Sequence, residues 1–471
     1  MKEFAAPAMN SLEQFDALII GAGQAGPPLA QRLTAAGQKV CLIERKLFGG
    51  TCVNTGCMPT KTLVASAYAA QLARRAAQYG VDVGGAVRVD MRVVRQRAAT
   101  VTLNARHGVE QWLQQMPHCT VVRGQARFES ATQLRVGERV FGAPRIFINV
   151  GARAIVPDIP GLTTVPYLTN SSIVELDRLP QHLIILGGSY IGLEFAQMYR
   201  RFGSTVTVVE RAAAVATRED PDVSQAIREI LEAEGITIHT GTAVVAVARN
   251  ADGDITVRLR RDGVESEVCG SDLLLATGRR PNTDDLGLAA AGVQCSAAGH
   301  VTVDDALSTS VPGIWALGEC NGHGAFTHTA YNDFEIVAAN LLDGANRKLS
   351  ARIAAYALYI DPPLGRVGLT HTQAQRSGRP LLINHRPMTR VGRAVEKNET
   401  LGFMKIIADA QTRRILGAAI LGVGGDEAIH GVLDLMNADQ PYTTLQWAVP
   451  IHPTVSELLP TLVNGLHPPQ G

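Results

Sequence analysis

At 471 residues the chain is too long for one hydrophobic core and predicts roughly two to four domains. A formal net charge of +1, with Lys and Arg scattered, excludes the charge pattern of a nucleic-acid or anionic-membrane binder, and no stretch reaches the ~18 apolar residues of a membrane span. Seven cysteines, irregularly spread, make a poor disulfide framework, and the residues up to Phe15 carry mixed charge with no apolar run to mark a secretory signal. A reducing cytoplasm is the expected setting, and there a disulfide is catalytic rather than structural.

The first element is an apolar strand, Ala17 to Ile20, followed by Gly21-Ala22-Gly23-Gln24-Ala25-Gly26 and an Ala/Leu-rich helical stretch. A second strand, Val40 to Ile43, ends on Glu44. Strand, glycine turn, helix, strand, acid is the βαβ unit that binds a dinucleotide. The glycines let backbone amides approach a pyrophosphate at a helix N-terminus, and the acid accepts from the adenosine ribose. A glycine-rich turn that merely packs a helix on a sheet would not require Glu44.

Next comes Gly49-Gly50-Thr51-Cys52-Val53-Asn54-Thr55-Gly56-Cys57-Met58-Pro59-Thr60-Lys61, opening a long Ala-rich helix. A helix N-terminus lowers a thiol pKa and stabilises a thiolate. Gly56 and Pro59 permit the distortion that brings two sulfurs together, so a redox-active pair is expected. Buried structural cysteines and half of a zinc site are the alternatives; a zinc site needs two further ligands, and none is evident nearby, so no metal is expected. Cys41, Cys119, Cys269, Cys295 and Cys320 read as bystanders.

Thr120 to Val150 reads as short alternating strands ending in Ile146 to Val150. The opening pattern then repeats. Leu183 to Leu186 is a strand, Gly187-Gly188-Ser189-Tyr190-Ile191-Gly192 the turn, a helix runs to about Arg201, and Val206 to Val209 ends on Glu210. Glu44 lies 23 positions after Gly21, and Glu210 the same number after Gly187, which predicts two dinucleotide sites. Ile236 to Val268 reads as β-meander, followed by Leu273-Leu274-Leu275-Ala276-Thr277-Gly278. A third apolar strand, Gly313 to Leu317, ends at Gly318-Glu319, and a helix from about Thr329 to Leu342 follows. From Ser350 the turns change character and predict a separate α+β domain.

The run GGTCVNTGCMPTK resembles the signature of the class I pyridine nucleotide-disulfide oxidoreductases, the group of dihydrolipoamide dehydrogenase, glutathione reductase and mercuric reductase. Further landmarks follow in order: the second glycine turn, Ala276-Thr277-Gly278-Arg279, Ala316-Leu317-Gly318-Glu319, and His452-Pro453-Thr454 with Glu457. The resemblance implies an α/β subunit with two Rossmann-like domains and a C-terminal α+β interface domain. Its parts would be an FAD-binding domain (12–152), an NAD(P)-binding domain (153–280), a central segment returning to the FAD (281–349) and a dimerisation domain (350–471). FAD would rest on Gly21, Gly23, Gly26, Glu44, Gly50, Thr51, Lys61, Gly318 and Glu319, and the coenzyme on Gly187, Gly188, Ser189, Tyr190, Gly192, Glu210 and Gly278.

By the same resemblance Cys52 meets substrate and Cys57 lies against the flavin. Lys61 sits by the flavin and pairs with Glu194, and Tyr190 gates the nicotinamide pocket. His452 and Glu457 form an acid–base dyad supplied from the partner subunit of a homodimer. Ser189 replaces the usual middle glycine, which sets an expectation of weaker coenzyme binding. Glu319 replaces the usual Asp, so either the flavin contact persists with adjustment or FAD is held less tightly. Pro59 to Thr62 (PTKT) and Tyr190 are closer to mercuric-reductase-like and reactive-chlorine-resistance flavoproteins than to lipoamide dehydrogenase. No cysteine follows Cys320, which weighs against efficient mercury reduction.

Glu210 favours NADH over NADPH by repelling a 2′-phosphate, though Arg211 and Arg218 could still assemble a phosphate site. The expected substrate is a small-molecule disulfide or a metal–thiol species. A lipoamide dehydrogenase of a 2-oxo acid dehydrogenase complex and a non-catalytic flavin-binding redox sensor remain the alternatives.

Overall fold

The computed structural model describes residues 12–469. The stretch 1–11, part of the N-terminal segment weighed for a secretory signal, lies outside the described residues, as do the last two positions. The chain forms two compact units, each drawn from three segments. One runs up to Thr62 and adds Gln96–Ile155 and Gly278–Arg352; the other takes Leu63–Arg95, Val156–Thr277 and the chain from Ile353 on.

In the first unit a parallel sheet runs in the order Ile314–Ala316, Ile146–Ile148, Ala17–Ile20, Val40–Glu44, Cys119–Arg123. Its central strands are apolar at nearly every position because both faces are covered. Ala17, Ile19 and Leu42 pack against Leu29 and Leu33 of the helix Gly26–Ala35 and against Phe334 and Val337 of the helix Thr327–Leu342. Leu18, Ile20 and Ile43 face Phe128, Leu134 and Phe141, which belong to a second sheet made from Leu12–Gln14, Arg139–Gly142, Gln133–Val136 and Ala126–Ser130. The register Ile20↔Ile43, Ile20↔Ile148 and Ile148↔Ala316 aligns the strand ends, so Gly21, Glu44 and Gly318 emerge at one edge. In an open parallel sheet that edge is where ligands bind.

The second unit repeats the plan with Thr237–His239, Thr205–Val209, His182–Leu186 and Asp272–Leu275, all parallel. Here one expectation is corrected. Thr237–His239 is not part of a meander but the edge strand of this sheet, registered on Thr207–Val209. The antiparallel meander begins only at Ala243 and comprises Ala243–Arg249, Ile255–Arg261 and Val264–Gly270.

The same unit contains an antiparallel sheet ordered Ala355–Leu358, Leu364–Gly368, Ile415–Leu421, Phe403–Asp409, Leu381–Pro387. Its two longest central strands are buried at every residue, with Met404, Ile406, Ala418 and Ile420 packed on Val432, Leu459 and Leu462 of the C-terminal helices. The chain is therefore α/β, with two Rossmann-like dinucleotide-binding folds and a C-terminal α+β domain. Among the described residues no helix is long and apolar enough to cross a membrane.

Candidate functional site

The two glycine turns are built alike. Gly21 has φ +106°, and a Cβ there would lie 2.3 Å from the Asn149 carbonyl oxygen; Gly187 has φ +112°, with the Ala276 carbonyl oxygen at the same 2.3 Å. Only glycine meets both demands. Glu44, buried at the end of its strand, accepts from the amides of Ala22 at 2.8 Å and Lys46 at 2.7 Å. Glu210 accepts from Gly188 at 2.6 Å and Ala212 at 2.7 Å. Each carboxylate is thus fixed across the mouth of its turn, with lone pairs left over for further donors.

Neither helix start is capped by a side chain, at Ala25 or at Ser189, so the amides face outward for an anion. The cradle fits the FAD that the first motif implies. Ser189 sits at φ −95°, a conformation open to any residue, so the missing glycine introduces no backbone strain.

The two motif cysteines occupy different helices. Cys52 lies in Gly50–Thr55 and Cys57 opens Cys57–Arg75, with Gly56 between them. A Cβ at Gly50 would lie 2.8 Å from the Cα of Gly23, so the short helix presses directly on the glycine turn. Asn54 locks it there: its amide donates to the Phe48 and Gly50 carbonyls at 2.8 and 2.9 Å, and it accepts from Arg106 at 2.7 Å.

Cys52 and Cys57 stand as thiols within hydrogen-bonding reach of each other, Cys52 half-buried and Cys57 exposed. The Cys52 thiol donates to Cys57, and this bond does most to hold Cys57 down at about 6, against burial and with help from the Thr327 hydroxyl and the Lys61 charge. Cys52 is driven far upward by the same bond and by burial. The shared bond and the burial thus act to favour the proton on Cys52 and the charge on Cys57. The bystander Cys320 is fully buried and pushed up to about 12 by that burial, and buried Cys41 is likewise pushed up to about 12.

Thr327 has no motif to announce it. It begins the helix Thr327–Leu342, and its hydroxyl lies 3.3 Å from the Cys57 sulfur. Glu319 is gripped by Arg279, with Nε donating to Oε1 at 2.6 Å and Nη2 to Oε2 at 3.1 Å, while Arg279 also reaches the Ala152 carbonyl. Gly318, at φ +73°, donates to the buried Asp333, which also holds Asn321 and Arg352. Gly278, at φ +119°, accepts from the amide of Ile155. Glu194 is buried on Tyr190–Phe202 and accepts from the Tyr359 amide at 2.9 Å.

His452 Nδ1 and Glu457 Oε2 are 2.9 Å apart. Glu457 is mostly shielded and additionally held by the Thr454 amide, while the imidazole is 79% exposed. With Nδ1–H donating to the carboxylate, Nε2 is left free to take a proton. Trp447, Val449 and Ile451, just before it, are 87%, 95% and 80% exposed. Among the described residues no group of three or more His, Cys, Asp or Glu side chains is arranged to hold a metal ion.

The family model for pyridine nucleotide-disulphide oxidoreductases matches residues 15–333, and the model for the dimerisation domain of that family matches residues 354–463. The chain is 37% identical over 461 residues to the probable pyridine nucleotide-disulfide oxidoreductase RclA of Escherichia coli (strain K12), covering 96% of this chain and 99% of that one. It is 36% identical over 430 residues to a mercuric reductase of Streptomyces lividans (88% of each chain), and 31% identical over 451 residues to a dihydrolipoyl dehydrogenase of Chlamydia muridarum (95% of each). The solved Cu(II) complex of the HOCl-induced flavoprotein disulfide reductase RclA from Escherichia coli superposes with a TM-score of 0.87 at 36% identity, covering 96% of this chain and 99% of that one.

Proposed function

The chain belongs to the class I pyridine nucleotide-disulfide oxidoreductases, FAD-dependent enzymes that use NAD(P)H, and on that premise we propose that it reduces a small disulfide with electrons from NADH by way of Cys52 and Cys57. The turn Gly21 to Gly26 and Glu44 would hold FAD, which would supply hydride acceptance from the nicotinamide and two electrons for the Cys52–Cys57 disulfide. The observation that supports this reading is the thiol pair itself: Cys52 and Cys57 come within hydrogen-bonding reach of each other across Gly56, beside a short helix that presses on the first glycine turn.

On this reading His452 of the partner subunit, oriented by its carboxylate neighbour, takes the Cys52 proton as Cys52 attacks the substrate disulfide. One substrate sulfur leaves as a thiolate, is protonated by that imidazolium and departs as a thiol. The Cys57 thiolate then attacks Cys52 in the mixed disulfide, expelling the second substrate thiolate, which takes a proton from water, and restoring the Cys52–Cys57 bond. NADH, one proton and one disulfide thus become NAD⁺ and two thiols.

Segments 12–152 and 281–349 would hold FAD, 153–280 the coenzyme, and 350–471 the subunit interface. The bare Trp447, Val449 and Ile451 support a partner subunit packed beside His452. The NADH preference rests on Glu210, held by two amides in the attitude of Glu44. A thiophilic metal ion as acceptor is a second reading, favoured by the relative solved with Cu(II) bound.

The deciding experiment offers the holoenzyme lipoamide, glutathione disulfide, other small disulfides, Hg(II) and Cu(II), each with NADH and NADPH. A disulfide turned over with NADH, and no longer turned over by Cys52→Ser, is the expected result. Turnover confined to lipoamide would move the assignment to a dihydrolipoyl dehydrogenase, and flavin reduction that no acceptor discharges would refute an enzymatic role.

A further inference from the structure

Tyr190 is the first residue of its helix, directly after the second glycine turn. In a dinucleotide fold that position lies at the carboxyl ends of the strands, beside bound coenzyme. Its hydroxyl donates to Glu219 Oε1 at 2.6 Å, and the hydroxyl of Tyr356 donates to the same oxygen at 2.8 Å. The two rings lie 5.6 Å apart. Burial first, and then the negative charge of Glu219, push both phenols upward, so both stay protonated donors.

The second oxygen of Glu219 makes no hydrogen bond and faces Arg366 Nε at 3.6 Å. Arg366 is wholly buried, and a guanidinium is always charged, so it needs a carboxylate within reach. Asp220, at 3.7 Å, is the other acid near it, but Asp220 is already engaged by the amides of His371 and Thr372 and by Lys405. Tyr356 and Arg366 both come from the C-terminal sheet, on the strands Ala355–Leu358 and Leu364–Gly368.

We propose that Glu219 is a positioning residue for the coenzyme: it latches the Tyr190 phenol beside the second glycine turn, with Arg366 as its countercharge and Tyr356 sharing the same carboxylate oxygen. This rests on the reading of 153–280 as the coenzyme domain. A nicotinamide entering beside the turn displaces the Tyr190 ring and must break a hydrogen bond to a carboxylate, which lowers apparent affinity by the fraction of unlatched molecules. The C-terminal domain would in this way tune how readily coenzyme enters.

The test titrates NAD⁺ into the oxidised holoenzyme, followed by the flavin spectrum, and measures flavin reduction by NADH in stopped flow. Tyr190→Phe keeps the ring and removes the latch, and is expected to tighten NAD⁺ binding by about tenfold. Glu219→Gln retains a weaker, uncharged acceptor and is expected to tighten binding by a few-fold, with the double variant no tighter than Tyr190→Phe alone. The pair Tyr190→Phe and Tyr190→Ala keeps the test sharp if Glu219→Gln fails to fold. Unchanged or weaker binding in Tyr190→Phe, with a clear effect of Tyr190→Ala, would overturn the latch. No effect of Tyr190→Ala on binding or flavin reduction would instead overturn the placement of Tyr190 at the coenzyme site.

Discussion

Replacing Thr327 by valine removes one hydroxyl from beside Cys57 and leaves the shape almost unchanged. A hydrogen bond to an anion contributes ~1.5–3 kcal/mol in a buried setting. Here the acceptor is a diffuse sulfur at 3.3 Å on an exposed residue, and water recovers part of the loss, so about 1.4 kcal/mol is the appropriate magnitude, or roughly one pH unit in the titration midpoint. The hydroxyl favours the charged form, so its removal moves the midpoint upward. From about 6 the Cys57 thiol should rise to roughly 7 and no further, because the larger contribution of Cys52 and that of Lys61 remain.

The assay follows the thiolate-to-flavin charge-transfer absorbance of the two-electron-reduced enzyme against pH. The pH dependence of Cys57 alkylation serves as a flavin-independent check. Thr327→Ser keeps a hydroxyl and should titrate as the parent does. A midpoint that Thr327→Val leaves in place, or moves down, refutes the assignment of Thr327 as a donor to the thiolate.

Cys57→Ser should abolish the charge-transfer band altogether, whereas Cys52→Ser should retain it and lose disulfide turnover; a band indifferent to both would show that neither thiol faces the flavin. His452→Ala should lower disulfide turnover by ~10²–10⁴ while flavin reduction by coenzyme stays nearly constant. Heterodimers of that variant with Cys52→Ser should regain activity, and a fully active monomer would contradict the shared site. In steady-state kinetics with both coenzymes, NADH should give the higher kcat/KM. Glu210→Ala should narrow the gap chiefly through NADPH, and a parent enzyme that prefers NADPH rules the charge-repulsion argument out.

What was legible in the sequence was local. Each glycine turn is dictated by a backbone path, so Gly21 and Gly187 appear wherever a positive φ and a carbonyl 2.3 Å from a would-be Cβ exclude every other residue. A helix and a strand separate each turn from its acid, and the equal spacing to Glu44 and Glu210 therefore foretold equal geometry. The two cysteines, five residues apart across a glycine, are brought into hydrogen-bonding reach by a break between two helices.

The partners of these residues were decided only by tertiary structure. Thr327 reaches Cys57 from 270 positions away, Arg279 reaches Glu319 from 40, and Arg366 reaches Glu219 through the packing of the C-terminal sheet. No periodicity or spacing encodes such meetings, because they depend on sheet register and on which strand ends share an edge. Thr237–His239 shows the same limit: its alternation suits a meander as well as a parallel edge, and only pairing with Thr207–Val209 selects the edge. Sequence alone determined the backbone of the glycine turns and of the cysteine helices; the long-range contacts around Cys57 and Tyr190 arise when the sheets close.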